Sequence, residues 1–146
     1  MSLTPEQLAV LCSETMQKTD HASQMMGIEI IKTTPGYAEL QMVVRQDMLN
    51  GHGSCHGGML FTLADTAFAH ACNSTNKITV ASGCSIDFIA PALQGDRLTA
   101  IGQERSRSGR TGIYDINITN EQGALIATFR GRSYQVKGTL VPENAA

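Results

Sequence analysis

The sequence predicts an α+β fold in which a curled antiparallel β-sheet wraps around one long central α-helix. Three observations carry that expectation. Residues 59–72 are too many for a strand and apolar on nearly every side, as in a helix buried all round. About six other segments follow a strand rhythm, and the short turns between consecutive ones make their neighbours antiparallel. No linker, repeat or low-complexity tract divides the chain, so 1–146 reads as a single domain.

The elements follow in order. Thr4-Pro5-Glu6-Gln7 supplies an N-cap and then Pro at the first helical position. Leu8, Leu11 and Thr15 continue at helical spacing, so residues 4–18 form a short amphipathic helix within a helical extension over 1–24. Strands are expected at 27–32 and 37–44, with hairpin chemistry at Thr34-Pro35-Gly36 between them. Further strands are expected at 80–89, 97–107, 112–119 and 124–136, separated by turns at 91–95, 108–110 and 120–123. Tyr114, Ile116 and Ile118 alternate with Ile113, Asp115, Asn117 and Thr119, which gives one buried and one open face. Residues 138–146 read as a tail, frayed over the last five.

Composition narrows the function. Charged residues make up 16% of the chain against about 25% in an average globular protein, and apolar residues make up 42%. That balance argues against disorder and for a surface partly covered by another subunit. Eleven Lys and Arg against thirteen Asp and Glu leave a net charge of -2. The basic excess that drives non-specific nucleic-acid binding is missing, so no nucleic-acid partner is expected. No run of about 18 apolar residues is present to cross a membrane. The N-terminal segment has no basic n-region and carries Glu6 and Glu14, unlike a signal peptide. Cys12, Cys55, Cys72 and Cys84 show no C-x-x-C spacing, so they read as reduced thiols of a cytoplasmic protein.

Asp65 is the most informative residue. It is the only formally charged side chain between Met48 and Asn76, counting His as neutral, and it lies within the apolar helix. A buried, unpaired carboxylate costs several kcal/mol, so it is either functional or turned to solvent or to a neighbouring backbone cap. Just before the helix runs Asn50-Gly51-His52-Gly53-Ser54-Cys55-His56-Gly57-Gly58. Glycines admit a ligand close to the backbone, and a helix start offers unpaired N–H groups to a developing oxyanion. The bland alternative is a flexible entry loop. Eight residues separate Gly57 from Asp65, about 12 Å along a helix. One carbonyl cannot touch both within one chain, whereas two antiparallel helices side by side bring Gly57 of one copy to Asp65 of the other. The inference is a homodimer with two shared sites.

Other chemistries fit less well. His52, Cys55 and His56 lack a fourth ligand and zinc spacing, so no metal or cofactor is expected. Cys55 and His56 are adjacent, and adjacent side chains seldom meet as nucleophile and base. His70 and Cys72 read as core or interface residues. Six of the eleven cations, Arg105, Arg107, Arg110, Arg130, Arg132 and Lys137, fall in the C-terminal stretch. They form either a solvated strand face or a site for a phosphate-bearing ligand such as coenzyme A.

The run NGHGSCHGGMLFTLAD over 50–65, followed by TAFAHACNS, resembles the hotdog-fold acyl-CoA thioesterases of the PaaI type, the phenylacetate-degradation enzymes. SIDFIAPALQGD, RTGIYDINI and FRGRSYQVKGT extend the likeness across about residues 25–140. The resemblance implies a catalytic role for Asp65, as nucleophile or as base on water. It implies that the Gly57 N–H polarises the thioester carbonyl, that Asn50 lies near the water or carbonyl, and that His56 is the motif histidine. It further implies substrate or coenzyme A contacts at Ser82, Arg107, Arg110, Thr111 and Arg132, and a dimer that assembles into a homotetramer. The expected activity is hydrolysis of aryl-acetyl-CoA to the free acid and coenzyme A. Two rivals remain at this point: a hotdog domain that binds acyl-CoA without hydrolysis, and a hotdog dehydratase acting on hydroxyacyl thioesters.

Overall fold

In the computed structural model, which describes residues 2–143, helix α1 spans Pro5–Gln17 and a second short helix, α2, spans His21–Met25. The Thr4 side chain caps α1 by accepting from the Gln7 N–H, while the Gln7 side chain accepts from the Thr4 N–H. The buried face of α1 differs from the expected one: Ala9, Cys12 and Ser13 are buried, and Leu8 and Leu11 flank them half-buried. Small side chains let the helix lie close to its neighbours. The extension expected to be helical over 1–24 breaks after α1, and α2 as a separate helix was not foreseen; Asp20 caps it through the Ser23 N–H.

The strands are β1 (Glu29–Thr34), β2 (Tyr37–Val43), β3 (Thr79–Phe88), β4 (Arg97–Ser108), β5 (Thr111–Thr119) and β6 (Leu125–Gln135). They pair antiparallel in the order β1-β2-β4-β5-β6-β3. Gly36, with φ +73°, closes the β1–β2 hairpin after Pro35. Between β2 and β3 the chain makes one 3₁₀ turn at Gln46–Met48, enters helix α3 (Gly57–Cys72) and crosses the concave face of the sheet. β3 therefore pairs only with β6 and forms the far edge.

Inward residues of the sheet meet α3. Tyr114, Ile116 and Ile118 of β5 are buried, as their alternation predicts, together with Leu98 and Ala100 of β4 and Phe129 of β6. Phe68 of α3 lies 5.5 Å from Tyr114 and 6.0 Å from Phe129, ring centre to ring centre. Glycines in the strands make this approach possible: a Cβ on Gly131 would stand 2.7 Å from the Phe68 ring. Each such large side chain contributes roughly 1.5–3 kcal/mol by leaving water. The opposite stripe of α3, Gly58, Thr62, Asp65 and Ala69, is only half-buried or exposed.

The segment expected as a tail is held down as far as Val141. Asn76, in the turn after α3 with φ +65°, accepts from the Leu140 and Val141 N–H groups and donates to the Val141 carbonyl. Asn144 to Ala146, the end of the predicted fraying, lie outside the described residues.

His70 joins the N-terminal helix to the core. Ser13 Oγ stands 3.0 Å from Thr33 Oγ1 and hydrogen-bonds His70 Nδ1, so α1, β1 and α3 meet at one hydroxyl. His70 is 1% exposed, and its Nε2 finds no hydrogen-bond partner among the described residues. Burial holds its pKa down to about 4, with the Asp20 charge opposing weakly. A folded pKa below the unfolded value of about 6.5 means that the full stability is present above pH 6.5 and is lost toward pH 4. We expect this residue to cost about 2 kcal/mol on going from pH 7.5 to pH 5. Urea midpoints at the two pH values check it; in His70→Gln the same acid shift should leave a clearly smaller loss.

Candidate active site

The loop into α3 is built around Asn50. Its Oδ1 accepts from the backbone N–H groups of His52 at 2.9 Å and Ser54 at 3.1 Å, and its Nδ2 reaches Ser54 Oγ at 3.2 Å. The backbone closes the same loop, Asn50 N–H donating to the Ser54 carbonyl at 2.8 Å. Because the two backbone donors claim the oxygen, the amide orientation is set and only Nδ2 retains a free proton.

His56 is the N-cap of α3. Its Nδ1 accepts from the Gly58 N–H at 2.9 Å, so the neutral ring carries its proton on the exposed Nε2. The Met59 and Leu60 N–H groups bond the His56 carbonyl. Of the first-turn donors only the Gly57 N–H lacks a partner among the described residues. A free N–H at the positive end of a helix is suited to a carbonyl oxygen on its way to an oxyanion. Cys55 is no rival nucleophile: it is buried, its Sγ–H points at the His56 carbonyl, and burial pushes its pKa up to about 11.

Gly57 opens onto a groove of about 460 Å³ that Asn50, Ser54, Leu60, Phe88 and Pro91 also line. Asp65 is not in it. Two helical turns away, Asp65 is half-buried, and its carboxylate makes no hydrogen bond or ion pair among the described residues, which removes the capping alternative. Burial, with a smaller effect from Asp20, raises its pKa above the usual 3.8. Asn50, His56 and Gly57 are thus gathered at the start of α3, and Asp65 stands apart within the same chain.

The basic residues divide into groups. Arg107, Arg110 and Thr111 line a narrow crevice with Thr75 and Lys77 beyond the C-terminal end of α3. Arg107 Nη1 donates to Thr75 Oγ1 at 3.3 Å, and Arg110 also borders a neighbouring hollow with Lys77 and Lys137. Arg132 belongs elsewhere, its guanidinium lying over Gly83 of β3. Ser82 sits at a register irregularity of β3 between Ala81 and Gly83, and its hydroxyl donates to the Arg132 carbonyl at 3.1 Å. Arg105 and Arg130 are committed to Asp115, with closest contacts of 3.1 and 2.6 Å. Lys77 and Phe88 were missed: one lies in a turn, and the other reads as an ordinary strand residue until the fold sets it against Gly57.

Residues 52–127, from the glycine loop into β6, match the family model described as the thioesterase superfamily. The chain belongs to the thioesterase superfamily. It is 49% identical over 131 residues to the acyl-coenzyme A thioesterase PaaI of Escherichia coli, covering 90% of this chain and 94% of that relative. The fold matches the structure of the E. coli PaaI protein from the phenylacetic acid degradation operon with a TM-score of 0.92 at 47% identity, covering 93% of this chain and 99% of that one. A hypothetical thioesterase protein with coenzyme A from Streptococcus pneumoniae matches with a TM-score of 0.74 at 27% identity, over 77% of this chain and 90% of that one. The sheet wrapped around α3 is the family's hotdog fold. Among the described residues no group of three His, Cys, Asp or Glu side chains is placed to hold a metal ion, and no helix is long and apolar enough to cross a membrane.

The cap on α3 is testable apart from chemistry. His56→Ala should lose about 1 kcal/mol of stability, whereas His56→Asn, which keeps a capping acceptor, should lose little. Urea unfolding of the two variants beside the unsubstituted protein gives the comparison.

Proposed function

We propose that this protein hydrolyses acyl-CoA thioesters, with aryl-acetyl-CoA such as phenylacetyl-CoA as substrate, in phenylacetate degradation. The observation that carries the reading is the free Gly57 N–H at the start of a helix that also bears one unpaired carboxylate, Asp65. The relative at 49% identity is itself an acyl-coenzyme A thioesterase, which supports the same substrate class here.

A second copy completes the site. α3 is 16 residues long, about 24 Å, and an antiparallel neighbour laid along its half-open stripe sets its own Asp65 beside this chain's Gly57. The open edge of β3, with Val80 about half-exposed, supports a shared interface of this kind. The same reversal carries the second copy's Arg107, Arg110 and Thr111 toward the groove, where they would meet the phosphates of coenzyme A. Ser82 of β3 and Arg132 of β6, whose guanidinium lies over Gly83, would line the approach. The assembly in this reading is a homodimer paired into a homotetramer. A cytoplasmic location belongs to it too, and the four free thiols support that.

In the reaction, the carbonyl oxygen accepts from the Gly57 N–H, and the Asn50 Nδ2 proton orients the water or the carbonyl. Asp65 removes a proton as water adds to the carbonyl carbon; burial, by raising its pKa, makes it the better base. The C–S bond then breaks, and the Asp65 proton passes to the departing thiolate of coenzyme A. The products are the carboxylic acid and the free thiol.

Thiol release from phenylacetyl-CoA tests this directly. Asp65→Asn should lower turnover roughly 10²–10⁴-fold while leaving the fold intact. Binding without thiol release in the unsubstituted protein would favour a sensing domain, and an enoyl thioester product would favour the dehydratase. The base must be ionised, so kcat/KM should fall on the acid side with a midpoint above the usual carboxylate value of 3.8. A pH–rate profile whose acid limb lies at or below that value contradicts the assignment.

A further inference from the structure

We propose that the Phe88 ring selects aromatic over aliphatic acyl groups, a specificity role that rests on the hydrolase reading above. A Cβ built on Gly57 would stand 2.9 Å from Phe88 Cζ and 3.2 Å from Cε1, so the ring tip touches the helix beside the free N–H. Yet Phe88 is 54% exposed, while Phe68 and Phe129 in the core are 1% and 3% exposed. The ring therefore has one edge pinned on Gly57 and much of its surface open. Leu60 and Pro91 continue the apolar lining of the groove around it.

The position of the carbonyl fixes what the ring meets. A carbonyl oxygen hydrogen-bonded to the Gly57 N–H lies about 3 Å from that nitrogen. A phenyl group one carbon beyond the carbonyl is then within contact of Phe88, in the offset or edge-to-face geometry that aromatic pairs prefer. An alkyl chain of similar reach buries area against the same ring without that added preference. The other arm of the thioester is common to every acyl-CoA, so contacts with it cannot discriminate among acyl groups. Gly57 has its own part: any side chain there would drive the ring off the helix start.

The experiment compares kcat/KM for phenylacetyl-CoA and hexanoyl-CoA in the unsubstituted protein and in Phe88→Leu, Phe88→Met and Phe88→Tyr. The aryl-to-alkyl ratio should fall roughly two- to tenfold in the Leu and Met variants and stay within about twofold in the Tyr variant. Met fills the space without a ring or a branch, so it supplies the answer if Leu disturbs folding. An unchanged ratio in the non-aromatic variants overturns the proposal. So does a parallel fall on both substrates, which would make Phe88 a structural wall or a contact for the common arm. Failure of the unsubstituted protein to release thiol from either substrate sinks the hydrolase reading and this proposal with it.

Discussion

Everything in the molecule depends on how closely α3 lies on the concave face of the sheet. Strand glycines remove the side chains that would hold the two apart; at Gly102 a Cβ would meet Ile116 at 3.2 Å and the Ala67 carbonyl oxygen at 3.4 Å. Interiors pack without room for an added methyl group, so this seat fixes the axial position of the helix as well as its depth. Its N-terminus is consequently presented at the rim of the groove, and Asp65 is held on the stripe that the sheet does not cover. One packing decision sets both halves of the proposed chemistry.

The same geometry divides the site. A rigid helix cannot bring residues two turns apart to one carbonyl, so in the proposed reaction a single copy would supply the electrophilic end or the carboxylate at each locus, never both. The polar groups follow this division. Asn50 and His56 spend most of their hydrogen-bonding capacity shaping the loop and capping the helix, which leaves the Gly57 N–H as the free backbone donor of the first turn among the described residues. Arg107, Arg110 and Thr111 gather at the opposite end of the helix. Antiparallel pairing of two copies, as proposed above, would make these distant groups neighbours.

Much of this was legible in the chain. The all-apolar run at 59–72 and the two-residue alternation around Ile116 locate the central helix and the sheet, because both periodicities are local. Asp65 and the glycine loop stand out for the same reason. What escaped depends on long-range register. α2 is only five residues long and has too little periodicity to detect. The buried face of α1 was misplaced because the leucines looked like the better core, whereas Ala9 and Ser13 suit the narrow gap to β1 and His70. The C-terminal basic residues read as one cluster, yet Arg105 and Arg130 neutralise Asp115 across adjacent strands, and Arg132 lies over Gly83. Phe88 was invisible as a site residue because nothing near it in sequence announces Gly57.

Asn76 receives Cys12 Sγ–H from α1 and holds Leu140 and Val141 from the other end of the chain. One side chain thus ties both terminal segments to the same turn. Their convergence makes the connectivity of the polypeptide separable from its architecture. A linker reaching back along α1 could join the two segments, and new termini could be opened in the 120–123 turn between β5 and β6. Such a circularly permuted chain would retain every strand pairing while freeing both ends from the helix–sheet seat.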